Sequence, residues 1–149
     1  MVELSNLRIN GGSLEHDPDY HFTVSYSASF DPPELTDTFT EFVRLREEDP
    51  STDDFITAEN PDGTTFTPNL VPGLRPDTRP GHQTMSILDR SVGFDLPREV
   101  ADTESTVFDA GHEEIYAEVW LRSSGNLAST GPSGSDSGLG KTNVGDFDP

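Results

Sequence analysis

The chain has 149 residues with 28 acids against 9 bases, a formal net charge of −19 and no cysteine. That length supports one domain with at most an appendage, and the missing cysteines exclude disulfides, thiolate metal sites and cysteine nucleophiles. So acidic a surface repels phosphate backbones and anionic headgroups, which makes nucleic acid and membrane insertion unexpected.

Val2 to Ile9 reads as a first strand whose apolar phase switches around Ser5 and Asn6, the sign of a bulge. Asn10-Gly11-Gly12 and Asp17-Pro18-Asp19 read as breaks. Tyr20 to Phe30 is the strongest signal in the chain. Tyr20, Phe22, Val24, Tyr26, Ala28 and Phe30 alternate with polar residues, the period of a long, half-buried central strand. Asp31-Pro32-Pro33 forces a turn, and Phe39 to Glu47 forms the third strand, with Phe42, Arg44 and Arg46 opposite Phe39, Val43 and Leu45.

Further on, Asn60-Pro61-Asp62-Gly63 between Phe55–Glu59 and Thr64–Thr67 predicts a hairpin in which Gly63 supplies a positive φ. Pro68 to Gly81 is a long polar connection, and His82 to Leu96 holds strand-like material. Pro97 to Ser105 has the composition of a helical turn. The last strand is Glu114 to Arg122, with Ile115, Ala117, Val119 and Leu121 on one face and Tyr116, Glu118, Trp120 and Arg122 on the other.

Short strands separated by turn clusters, with no long amphipathic helix, predict an all-β, antiparallel two-sheet sandwich over residues 1–122. Its architecture resembles an immunoglobulin or fibronectin type III module. From Ser123 to Pro149 the chain turns rich in Gly and Ser, which predicts an extended C-terminal arm with neighbouring subunits as its natural support.

Little in the chain assembles chemistry. Ser137-Gly138-Leu139-Gly140-Lys141-Thr142 resembles a phosphate-binding loop, but Gly134 is one residue out of place and no helix follows. The four histidines show no metal-site spacing, and no nucleophile elbow is present. No catalytic residue is assigned, and an enzyme is not expected. Glu47, Glu48, Asp49, Asp53 and Asp54 form the densest acid cluster and are the candidate calcium ligands, calcium being the one cofactor considered. Tyr116 and Trp120, on the second face of the last strand, are interface candidates, as are Leu139, Val144 and Phe147 in the arm.

Lys141 is the only lysine; the other bases are all arginine, and that bias with abundant acid resembles proteins of a saline cytoplasm. The start MVELSNLRIN has no signal-peptide pattern, so synthesis in the cytoplasm and incorporation into a particle is the expected location. These features point to a non-enzymatic structural subunit of a larger assembly, such as a capsid decoration or tail component of a virion. Other protein subunits, including copies of itself, are its expected partners. The alternative is a carbohydrate- or calcium-dependent adhesion module.

Overall fold

The computed structural model describes residues 1–12, 19–48, 53–97 and 113–147. Its strands are β1 (Glu3–Gly12), β2 (Asp19–Phe30), β3 (Phe39–Glu47), β4 (Asp54–Phe55), β5 (Thr64–Phe66), β6 (Arg75–Pro76), β7 (Ser86–Pro97), β8 (Glu113–Ser123), β9 (Gly140–Lys141) and β10 (Gly145–Phe147). They form an all-β, antiparallel two-sheet sandwich of immunoglobulin-like architecture. One sheet is four-stranded in the order β1-β2-β7-β6, and the other is six-stranded along β10-β8-β3-β4, with β5 on β3 and β9 on β8.

The alternation in β2 organises the core. All six of its apolar side chains are buried, facing Phe39, Val43 and Leu45 of β3 and Ile115, Ala117, Val119 and Leu121 of β8. Burying each large side chain contributes about 1.5–3 kcal/mol, so this stripe supplies much of the driving force. Phe30, Phe39 and Phe66 add a tilted aromatic cluster with centroids 5.2 to 6.3 Å apart. β2 pairs with β7 along its whole length, from Asp19↔Pro97 to Phe30↔Ser86.

The bulge in β1 lies where the phase switch places it. The register slips between Ser5 and Arg8, and Asn6 adopts φ 52, a left-handed conformation that Asn tolerates better than most residues. Two local expectations are corrected. Asn10-Gly11-Gly12 is no turn: β1 runs through it, with Gly11 opposite Phe22 and Gly12 opposite His21. Gly11 is required there, because its φ is +146 and a Cβ would lie 2.1 Å from the His21 carbonyl oxygen.

The predicted hairpin at Asn60–Gly63 is also absent. β4 and β5 each pair with β3, at Arg46↔Phe55 and Phe39↔Phe66, and not with each other. Nor does Gly63 have a positive φ. Its role is close approach, since a Cβ would stand 2.1 Å from Thr40 Cγ2 and 3.0 Å from the Phe42 ring. Gly63→Ala is therefore expected to cost about 1–3 kcal/mol by overpacking, read as a lowered urea midpoint with an unchanged m-value.

Pro32–Thr36 is a 3-10 turn closed by a capping box between Asp31 and Glu34. Apart from Pro97, which ends β7, the predicted helical turn lies outside the described residues.

The segment after Ser123 departs from the extended arm expected of it. β9 and β10 add to the edge of β8, with Val119 opposite Gly140 and Ile115 opposite Gly145. Side chains complete the seal. The amides of Ala117, Leu121 and Ser123 donate to Thr142 Oγ1, Ser137 Oγ and Asp136 Oδ2 at 2.9, 2.9 and 2.6 Å. Across the sandwich, the Ile9 amide of β1 donates to Asn143 Oδ1 at 3.0 Å. The Gly/Ser-rich segment thus binds strand edges that would otherwise expose unpaired backbone groups.

Candidate functional site

The outer face of the six-stranded sheet is occupied from within. Phe42 and Trp120 stack at 5.4 Å, and the Arg44 guanidinium lies 4.8 Å from the Trp120 ring and 4.9 Å from the Phe55 ring. Arg44 Nε donates to Glu118 Oε1 at 2.9 Å, and Arg46 joins the same oxygen at 3.4 Å. Arg122, only 2% exposed, donates to the carbonyls of Asn126, Gly131 and Ser133. Trp120 Nε1 donates to the Thr130 carbonyl at 3.0 Å. The C-terminal segment is thereby fixed as a cover over this face.

Tyr116 and Trp120 consequently spend their apolar surface inside the chain. Trp120 is fully buried and Tyr116 is 2% exposed, with its hydroxyl donating to Asp53 Oδ2 at 2.6 Å and Lys141 Nζ over its ring. Burial, then the bond to Asp53, pushes the Tyr116 phenol up. Leu139 and Val144 remain exposed on the segment, and Phe147 is placed in β10 opposite Glu113.

The acid cluster is brought together only in part, with Asp54 of β4 opposite Glu47 of β3. Glu47 is buried at the end of β3, Glu48 and Asp54 are exposed, and Asp53 is engaged by Tyr116. Asp49 lies outside the described residues, among which no group of three or more acids or histidines is arranged to hold a metal.

Charged residues that sequence reasoning passed over hold the interior. Between the sheets, Glu41 accepts from the Tyr26 hydroxyl and is gripped by Arg90 at 3.0 and 3.2 Å. Burial, reinforced by Glu41, pushes the Tyr26 phenol far up. Near the end of β2, Asp77 is held by Arg79 at 2.7 Å and accepts from the Ser29 hydroxyl at 2.9 Å. The available signal was a charge in the apolar phase of a strand, as at Glu41 between Phe39 and Val43 and at Arg90 between Leu88 and Val92.

Three carboxylates give the fold an acid limit. The Arg79 guanidinium holds Asp77 well below the usual carboxylate range, against opposing burial. The Ser27 hydroxyl and then Arg75 lower Asp89. Burial pushes Asp136 up, but bonds from the Ser123 amide, Asn126 and the Ser123 hydroxyl outweigh it and leave the group lowered. A depressed folded value contributes stability above the unfolded value of 3.8, and that stability is lost as pH falls through the folded values.

Self-repulsion acts in the opposite sense, because the −19 charge shrinks as pH approaches the pI of 4.2. At low salt the melting temperature is therefore expected to rise from pH 7 to about pH 5 and to fall below about pH 4. In about 1 M KCl the rise should flatten while the acid fall remains, as thermal melts by circular dichroism would record.

Among the described residues, nothing covers the outer face of the four-stranded sheet. Thr23, Ser91 and Gly93 are exposed there, and small, polar side chains predominate. Beside the β1 bulge is a shallow depression of about 290 Å³ lined by Asn6, Arg8, Ser25, Ser27 and Asp89 among others. Ser27 Oγ donates to Asp89 Oδ1 at 2.7 Å, and Arg75 reaches the same carboxylate at 3.1 Å. Arg8 stands apart from every other described base. It has no carboxylate, carbonyl or ring partner among the described residues, in a chain with 28 acids.

No family model matches the chain, and no curated protein matches it in sequence. Among solved structures it is similar to a bacterial adhesin from Mobiluncus mulieris containing intramolecular disulfide, isopeptide and ester bond cross-links. The TM-score is 0.54 at 11% identity, covering 95% of this chain and 57% of the adhesin chain, so this chain spans little more than half of its neighbour's length. This chain has no cysteine, and its single lysine lies with Nζ 4.2 Å from the Tyr116 ring centroid. At that identity the likeness is one of fold alone.

Proposed function

We propose that this chain is a non-enzymatic adhesion module that binds a hydroxyl-rich target, a carbohydrate, on the outer face of its four-stranded sheet. The observation that carries this reading is the contrast between the two outer faces. One is consumed by the chain's own C-terminal segment, while the described residues leave the other open, with a polar depression beside a left-handed bulge residue. Bulges re-aim side chains, and backbone in a sparsely populated conformation concentrates at functional sites. A guanidinium, an amide, two hydroxyls and a carboxylate supply both donors and acceptors, which suits a polyol. The net charge of −19 argues against an anionic ligand. Resemblance to an adhesin fold adds weight, and a surface-exposed location belongs to the same proposal.

A second reading, a structural subunit of a particle such as a virion, draws on exposed Leu127, Leu139 and Val144 in the C-terminal segment. The two separate in one experiment. The full chain and an Arg8→Ala/Ser25→Val variant would be screened against neutral and charged immobilised glycans. Binding by the wild type that falls at least about tenfold in the variant is expected, since both side chains are free of internal partners and the fold is kept. Failure on every glycan would contradict adhesion, and an oligomer that is lost when Leu139 and Val144 are replaced by serine would favour the assembly subunit.

A further inference from the structure

β7 is sealed on one side only. β2 covers one edge throughout, whereas β6 reaches the other edge only at Ile87 and Ser86. From Leu88 to Pro97 that second edge has no strand partner among the described residues. Its inward side chains Val92, Phe94 and Leu96 are half-buried and pack against the core from the rim. Val92 and Phe94 also line an open cleft of about 280 Å³ with Val43, Ala58 and Thr64. The edge is only lightly protected among the described residues: there is no lysine, the proline comes only at the end, the one inward charge, Arg90, is tied to Glu41, and the remaining charges, Asp89 and Asp95, lie on the outer face.

We infer that this edge pairs with the β7 edge of a second copy of the chain, antiparallel about a two-fold axis at Gly93. A free strand edge accepts only another extended strand, and two-fold pairing requires the edge to be complementary to itself. Centred on Gly93, the register sets Val92 against Phe94, Arg90 against Leu96 and Ser91 against Asp95. Apolar residues meet apolar residues or an arginine stem, and Asp89 falls opposite Pro97. Centring on Val92 instead would set Asp89 directly against Asp95, a like-charge pair that destabilises a sheet.

A side chain at Gly93 has open space in the monomer, since nothing lies within 4 Å of where its Cβ would be, so substitutions there probe the axis. The half-buried rim of one copy would complete that of the other, joining the two four-stranded sheets into one. Each copy carries −19, so association is opposed at low salt and released by screening. This inference concerns a different surface from the polar depression and stands whether or not a glycan binds.

The test is the mass in solution, by sedimentation equilibrium on the full chain, at about 0.05 and about 1 M KCl. A dimer that tightens with salt is expected. Gly93→Glu occupies open space in the monomer but faces its own copy across the axis, so it should weaken the dimer by about three- to tenfold with an unchanged circular dichroism spectrum. Gly93→Val should leave the dimer intact or tighten it, through a β-branched cross-strand pair. Should Gly93→Glu disturb the fold, Val92→Lys gives a second charge on the same edge, and amide exchange from 88 to 97 in the wild type must slow on dimerisation. A monomer in both salts, or a dimer indifferent to both Gly93→Glu and Val92→Lys, overturns the inference.

Discussion

Replacing Arg122 with alanine is expected to destabilise the chain by about 3 kcal/mol and to shift Trp120 fluorescence to the red. The guanidinium is buried against backbone carbonyls of Asn126, Gly131 and Ser133, with the Asn126 side-chain oxygen also in reach at 3.2 Å. Alanine leaves those acceptors unpaired and a void beneath them. Hydrogen bonds to a charged group contribute about 1.5–3 kcal/mol each, they are not additive within one fork, and water entering the opened site recovers part of the loss. Trp120 responds because the same segment covers its ring and accepts from its indole. Lysine should recover less than half of the loss, since a single ammonium cannot span the acceptors of a planar fork. A stability unchanged in Arg122→Ala, with unshifted emission, would mean that the segment is not held there.

The second large effect is expected at Glu41. Glu41→Ala removes the acceptor of both Arg90 and Tyr26 in the space between the sheets. Breaking one side of a buried ion pair costs about 3–5 kcal/mol, because the remaining charge is left without compensation. Arg90 is 18% exposed and also lies 4.3 Å from the Phe66 centroid, which places the expectation near the lower end, about 3 kcal/mol. Replacing the whole set, by Tyr26→Phe, Glu41→Leu and Arg90→Leu, should restore most of the stability, because the desolvation of both charges disappears with their attraction. Urea unfolding of the single and triple variants measures both. A triple variant as weak as Glu41→Ala would show that the ion pair gains more than its burial costs.

The frame of this molecule was legible because alternation is a strong signal. β2 carries an uninterrupted period-two pattern and β3 one broken at Glu41 and Phe42, and the bounds of both fall within a residue of the expected ones. The β1 bulge showed for the same reason, as a break in phase at Ser5 and Asn6. Where the reading failed, local chemistry was outweighed by a partner distant in sequence. Asn60–Gly63 has good turn residues, yet β3 offers its edge to both flanking segments, and each gains more there than in a two-stranded ribbon.

The C-terminal segment misled for a related reason. Its low hydrophobic content argues correctly that it cannot build a core, but it does not need one. Ser137, Thr142, Asp136 and Asn143 act as acceptors for strand amides, and backbone bonds such as Thr142 N–H to Ala117 O at 3.0 Å extend the ladder. Composition reports hydrophobicity, not the availability of a strand edge. The polar depression was invisible for a different cause. Arg8, Ser25 and Asp89 are ordinary strand residues until the sheet register brings them together.

Amide hydrogen exchange along the full chain tests the central claim most directly: the C-terminal segment closes one side of the sandwich while β7 leaves the other open. The account predicts strong protection at Ala117, Leu121 and Ser123, whose amides depend on that segment, together with protection of Thr142 and Asp136. In dilute, low-salt solution, outward-facing β7 amides between Leu88 and Pro97 should exchange quickly. Exchange of residues 136–147 at the rate of an unstructured peptide, with Ala117 and Leu121 unprotected, would contradict it.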